Sequence, residues 1–224
     1  MIAEQRVYLN GSPIKKPSFD LLESQFSLLE IREGGCRYVS RGGLKLEAAL
    51  QSFSIDPKGV CALDIGASTG GFTDCLLQRG ASKVYAIDSG KAQFDPKLSK
   101  DPRIVLRESC NARYLSPNDF EDQIDFAVMD VSFISQVLLY PALSSVLPNG
   151  AEMVTLIKPQ FEVGRSGIGR GGIVKSETLR KAAVQRVCEA AETYGFKTVN
   201  TMQSPIQGGD GNIEFLAYFR KESI

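Results

Sequence analysis

Apolar residues come in short dense runs, and these alternate with stretches of helical spacing. Val60 to Ile65 is an apolar strand that ends at a glycine. Phe72, Cys75 and Leu76 follow at helical spacing as far as Gln78, and Gly80 stops that helix. Further strands are expected over Val84–Asp88, Ile104–Arg107, Phe126–Asp130 and Glu152–Ile157. Leu44, Leu46, Ala48, Ala49, Leu50 and Phe53 predict a helix with Ser40 as its N-cap. An apolar helix broken near Pro141 is expected after Ser135. Ser176 caps a long helix through Leu179, Ala183, Val187 and Tyr194, which Gly195 ends. The chain closes on two strands, Thr198–Ser204 and Ile213–Arg220. Strands alternating with helices predict an α/β, Rossmann-like fold. Seven strands are expected, mostly parallel, with the last antiparallel.

Residues 1–35 follow a different pattern. Arg6 to Leu9 is strand-like, Asn10-Gly11 signals a hairpin turn, and Ser12-Pro13-Ile14 returns. Lys15-Lys16-Pro17 is a basic patch, and Phe26 to Ile31 is a further short strand. Such a piece is too small to bury its own core. It resembles the C-terminal half of an S4-type RNA-binding domain, without that domain's helical half. A packed hairpin and an RNA-binding element, with Lys15 and Lys16 as contacts, both stay open. The expected organisation is therefore residues 1–35 as a small β appendage, 36–45 as linker and helix start, and 46–224 as the main domain.

The strand–loop–helix at Asp64-Ile65-Gly66-Ala67-Ser68-Thr69-Gly70-Gly71-Phe72 is the centre of the chain. Glycines there let backbone pass close to a ligand, and the helix start offers free N–H groups. Phe72 stands where a Walker loop needs Lys, so an NTP phosphate cradle is not expected. The dinucleotide pattern G-x-G-x-x-G is also missing, because Ser68 replaces its second glycine. Asp88 lies about 20 residues on, where Rossmann sites hold a ribose hydroxyl pair. A ligand with a ribose and no pyrophosphate fits best. S-adenosylmethionine (SAM) is such a ligand; NAD(P) and a structural turn are the competing readings.

Composition narrows the chemistry. The chain has 224 residues, with 26 basic and 26 acidic side chains, so net charge neither demands nor excludes nucleic acid. No apolar run reaches the length of a membrane span, and no leader pattern opens the sequence, so a cytoplasmic protein is expected. Five cysteines (36, 61, 75, 110 and 188) make no C-x-x-C pair, and no metal site is expected. There is no histidine, which removes histidine-based hydrolysis and general-base chemistry. Acid–base work falls to Lys, Asp, Glu, Tyr or Cys.

Strand C-termini of such sheets open onto the ligand. Asp130 ends the fourth strand and Lys158 follows the fifth, so the two are expected at one height. Glu214 opens the antiparallel last strand and therefore faces the same end. Cys110 and Asn111, after the third strand, are expected against an adenine. Arg37, Arg41 and Lys45 gather at a helix start, against the dipole's preference, which points to an anionic partner. Arg165 and Arg170 lie in the glycine-rich run 164–172, either a lid with phosphate contacts or a connector.

SRGGLKL at 40–46, DIGASTGGFTDCLLQRGA at 64–81, DVSFIS at 130–135, KPQFE at 158–162 and GNIEF at 211–215 together carry a resemblance. The chain resembles the TlyA branch of the FtsJ-like ribose 2′-O-methyltransferases, whose members are often labelled haemolysin A. The likeness runs from residue 6 to 220. It implies a SAM-dependent methyltransferase fold and methylation of a ribose hydroxyl in ribosomal RNA. The family's Lys-Asp-Lys-Glu tetrad falls on Lys45, Asp130, Lys158 and Glu214; its SAM loop falls on Asp64 to Gly71, with Phe72 beside it, and its ribose acid on Asp88. Without histidine, Lys158 is the expected base, Asp130 orients it, and Lys45 and Glu214 fix the hydroxyl. A catalytically silent RNA-binding assembly factor is the alternative, and a pore-forming haemolysin fits least.

Overall fold

The computed structural model describes residues 7–10, 12–14, 20–31 and 36–223. Lys15 and Lys16 lie outside the described residues. The first three strands, β1 (Val7–Leu9), β2 (Ser12–Pro13) and β3 (Leu29–Ile31), form a small antiparallel sheet in the order β2-β1-β3. The strand expected from Phe26 begins only at Leu29. Residues Glu23–Leu28 instead wind into tight 3-10 turns, and Leu22, Phe26 and Leu28 are left exposed. Among the described side chains of that stretch, no alternation of buried and exposed positions runs through to hold it in a sheet.

The remaining elements are α1 (Gly42–Ser52), β4 (Cys61–Ile65), α2 (Gly71–Gln78), β5 (Lys83–Ile87), β6 (Ile104–Arg107), β7 (Phe126–Met129), α3 (Tyr140–Val146), β8 (Glu152–Ile157), α4 (Glu177–Thr193), β9 (Phe196–Gln203) and β10 (Phe215–Lys221). Seven strands form one sheet in the order β6-β5-β4-β7-β8-β10-β9. β4 to β8 pair in parallel, and β10 runs antiparallel to both β8 and β9. Strand order reverses between β4 and β7, and the crevice above that point is where open α/β sheets hold ligands.

Helices cover both faces, so the central strands are buried on both sides and read as continuous apolar runs. One core joins Leu46, Leu50, Phe72 and Leu76 to the α1–α2 face. The other joins Tyr140, Leu143, Val187 and Phe196 to the α3–α4 face. The register then sets the site. Ile65 pairs with both Ile87 and Met129, so Gly66, Asp88 and Asp130 leave the sheet at one level. Phe215 pairs with Ile157, which puts Glu214 and Lys158 at the same step on the same edge.

Two local expectations are corrected. Ser40 is not the cap of α1: the helix starts after Arg41, no side chain caps it, and the Ser40 carbonyl accepts from Gly43 N–H at 3.2 Å. The Ser40 hydroxyl instead lies against Gly71, where a side chain would overlap it. Glycine at 71 thus lets α1 and α2 approach closely. Pro141 does not break a helix. Gln136–Leu139 form a 3-10 turn, and Pro141 sits in the first turn of α3, where its missing N–H would have no partner in any case.

Candidate active site

Two adjoining cavities open over the switch point, of about 350 and 270 Å³. The larger is lined from β4, β5 and β6 by Gly66, Asp88, Gly90, Cys110 and Asn111, and from the loop after β7 by Val131, Phe133 and Ile134. The smaller is lined by Arg41, Lys45, Thr69, Phe72 and Lys158. Gly66, Ser68, Asp130 and Ser132 belong to both, so they mark the junction.

Asp88 is held in place by backbone. Its carboxylate accepts from Ser68 N–H at 2.7 Å and from Gly90 N–H at 2.6 Å, so it is fixed in the wall of the larger cavity. Gly66 has φ 83°, and an added side chain would strike the Asp130 carbonyl. Only glycine suits both that conformation and the close approach of the two strand ends. Burial pushes the Cys110 thiol up, and Asn111 turns its side-chain oxygen to Arg113 N–H at 3.1 Å.

At the junction two oppositely charged pairs meet the smaller cavity. Lys158 Nζ lies 2.6 Å from Asp130 Oδ1 and donates to Ser132 Oγ at 2.8 Å. Lys45 pairs with Glu214, and the two side chains are only 10% and 3% exposed. Both lysines line the cavity, whereas Glu214 stands behind Lys45. A buried pair of this kind is costly to leave half-made, which fixes the Lys45 ammonium in position.

The other expected residues divide. Ala67, Ser68, Thr69, Gly71 and Phe72 line the smaller cavity. Gly70 lines neither, being packed under Phe94 and Leu98. Asp64 lines neither as well; it is fully buried beneath the loop and accepts from the Thr73 hydroxyl at 2.6 Å. Burial raises its carboxyl to about 7, the Thr73 hydrogen bond opposes this, and Asp130 and Asp88 add to it. Arg41 reaches the cavity. Arg37 does not: it pairs with Glu47 of α1 at 2.7 Å. Arg165 and Arg170 are exposed on two short 3-10 turns after β8 and line neither cavity.

The structure adds residues that the pattern did not mark. Ser132 is the hydroxyl partner of Lys158. Phe133 is 92% exposed at the rim of the larger cavity, with φ 62° and its ring 5.3 Å from that of Phe161. Both stand inside DVSFIS, so the motif pointed to the segment without singling them out.

A family model described as FtsJ-like methyltransferase matches residues 38–221. The chain belongs to the FtsJ-like methyltransferase family. Membership makes it a SAM-dependent methyltransferase. It is 39% identical over 223 residues to the 16S/23S rRNA (cytidine-2′-O)-methyltransferase TlyA of Mycobacterium tuberculosis, covering 100% of this chain and 83% of that protein. It is 47% identical over 214 residues to Hemolysin A of Brachyspira hyodysenteriae, covering 95% and 88%. A solved structure named as a hemolysin, from Streptococcus thermophilus, superposes with a TM-score of 0.85 at 44% identity, covering 99% of this chain and 81% of that one. The cavities suit the FtsJ-like family's cofactor. The larger offers a backbone-fixed carboxylate at the end of β5 and a glycine turn where a side chain would strike the Asp130 carbonyl.

Proposed function

We propose that this FtsJ-like enzyme methylates a ribose 2′-hydroxyl of ribosomal RNA, with SAM in the larger cavity and the target nucleotide in the smaller. The observation that carries the reading is the meeting of the Asp130–Lys158 and Lys45–Glu214 pairs beside the junction of the two spaces. The curated relative from M. tuberculosis, named as a cytidine-2′-O-methyltransferase of 16S and 23S rRNA, supports the substrate class. Only RNA carries the 2′-hydroxyl.

Asp88 takes the cofactor's ribose hydroxyls, and the Gly66–Ser68 backbone borders its amino-acid part. Cys110 and Asn111 border the adenine. The bound cofactor supplies an electrophilic methyl group on a sulfonium. In-line transfer requires the attacking oxygen about 3 Å from that carbon, and such positioning is worth several kcal/mol. Lys158, in its neutral form, takes the hydroxyl proton. Asp130 and Ser132 aim Lys158 Nζ, and Asp130 also borders the cofactor. Lys45, held by Glu214, donates to the ribose and fixes its oxygen. Phe133 offers an exposed ring at the rim of the larger cavity on which a base of the RNA stacks, since base–aromatic stacking is worth about 1–3 kcal/mol. Arg41, Arg165 and Arg170 contact phosphates.

The test is transfer of a labelled methyl group from SAM to ribosomal RNA by purified protein, followed by nuclease digestion and mass analysis of the modified nucleoside. A ribose-methylated nucleoside is expected. RNA binding without transfer would favour the assembly-factor reading, and a base-methylated product would refute the ribose assignment.

A further inference from the structure

The loops after β7 and β8, which carry Asp130 and Lys158, are tied by a buried acid with no place in the chemistry above. Glu162 is 3% exposed. Its carboxylate accepts from the Ser135 hydroxyl at 2.6 Å and from Gln136 N–H at 2.9 Å. The Gln136 side-chain oxygen in turn accepts from Thr155 on β8 at 2.5 Å and from Tyr140 at 3.2 Å. From behind, Arg186 of α4 donates to the Glu162 carbonyl at 2.7 Å.

Between this tie and the sheet, the chain from Asp130 to Ser135 adopts an uncommon shape. Phe133 has φ 62°, a conformation bulky L-residues avoid and keep only where the surroundings over-determine it. Two anchors flank it: Ser132 on Lys158, and Ser135–Gln136 on Glu162. Buried polar groups that are fully satisfied rigidify a site, and a residue so placed stays buried only while its partners remain. Burial favours the protonated Glu162 carboxyl, and the Ser135 and Gln136 hydrogen bonds counter it.

We propose that Glu162 is a positioning residue for methyl transfer: it locks the β7 loop to the β8 loop and so sets the Asp130–Lys158 pair and the outward Phe133 ring in working register. The inference rests on the ribose-methylation reading above. It predicts a loss that falls far more on the chemical step than on cofactor binding, because a misplacement of about 1 Å costs on the order of a hundredfold in rate.

Four variants, Glu162→Ala, Glu162→Gln, Ser135→Ala and Lys158→Ala, are compared with wild type. Single-turnover transfer to ribosomal RNA is measured at saturating SAM, alongside the SAM dissociation constant and the thermal unfolding midpoint. The expected result is a rate at least tenfold lower in Glu162→Ala, with SAM affinity within threefold of wild type. Glu162→Gln, which keeps one acceptor oxygen, retains more of the rate. Should Glu162→Ala not fold, Glu162→Gln and Ser135→Ala carry the test, each expected to lose at least threefold in rate with SAM affinity unchanged. Rates within twofold of wild type in the folded variants, or losses that merely follow SAM affinity, overturn the inference. If wild type itself makes no ribose methylation, or Lys158→Ala keeps it, the functional reading fails instead.

Discussion

Single residues here are governed by what burial does to charge. Asp64 sits under the glycine loop with its carboxyl raised to about 7 by desolvation, well above its unfolded value near 4. The folded state therefore holds a proton that the unfolded chain has lost between those values. The contribution of Asp64 to stability is full below about pH 4, falls by a few kcal/mol as pH rises to about 7, and is flat above. Asp64→Asn, which can still accept from Thr73, removes that slope; thermal melts of both proteins from pH 5 to 8 check it. The Lys45–Glu214 pair makes a second case. Lys45→Met strands a buried carboxylate and should cost about 3–5 kcal/mol in urea unfolding. Adding Glu214→Gln should restore most of that stability while methylation stays abolished. None of this was readable from neighbouring residues, because the partners are 169 positions apart. What the sequence did offer was the placement of Asp130, Lys158 and Glu214 at strand ends. Glu162 carried no local sign of burial, and Phe133, a large apolar side chain, carried no sign of exposure.

Elements were the most legible scale. β4, β7 and β8 lie within a residue of the expected runs, because strands buried on both faces are written as largely apolar stretches. The glycine loop was also plain, and its logic is testable. Gly66→Ala puts a methyl group into the Asp130 carbonyl at positive φ, so it should destabilise the fold by about 1–3 kcal/mol and weaken SAM binding at least tenfold. Thermal shift and SAM titration on one preparation measure both. Helix starts were less legible. Ser40 has the right chemistry for a cap, yet its hydroxyl is used in the α1–α2 contact instead. Short segments such as Glu23–Leu28 fell to local turn geometry, which apolar spacing does not encode.

For the whole molecule, the seven-strand sheet with one reversal of order follows from alternating strands and helices, and it gathers the far-apart site residues at one edge. Zero net charge concealed any basic face. Binding to single-stranded RNA should weaken with salt, with a log–log slope of roughly −0.7 per phosphate contacted. Removing Arg165 and Arg170 together should flatten that slope by roughly 1.4, whereas Arg37→Ala, already paired with Glu47, should change it less. Filter binding from 50 to 300 mM salt, on the order of the range where such slopes are read, decides this. Relatives carry hemolysin names, yet among the described residues no helix is long and apolar enough to cross a membrane.

The central claim is that Lys158 takes the ribose proton at a site where two charged pairs meet. Single-turnover methyl transfer by Lys158→Ala, with SAM affinity measured in parallel, tests it most directly. The expected result is a rate lower by roughly a hundred- to ten-thousand-fold with SAM affinity preserved. Transfer at the wild-type rate by a variant that still binds SAM would contradict it.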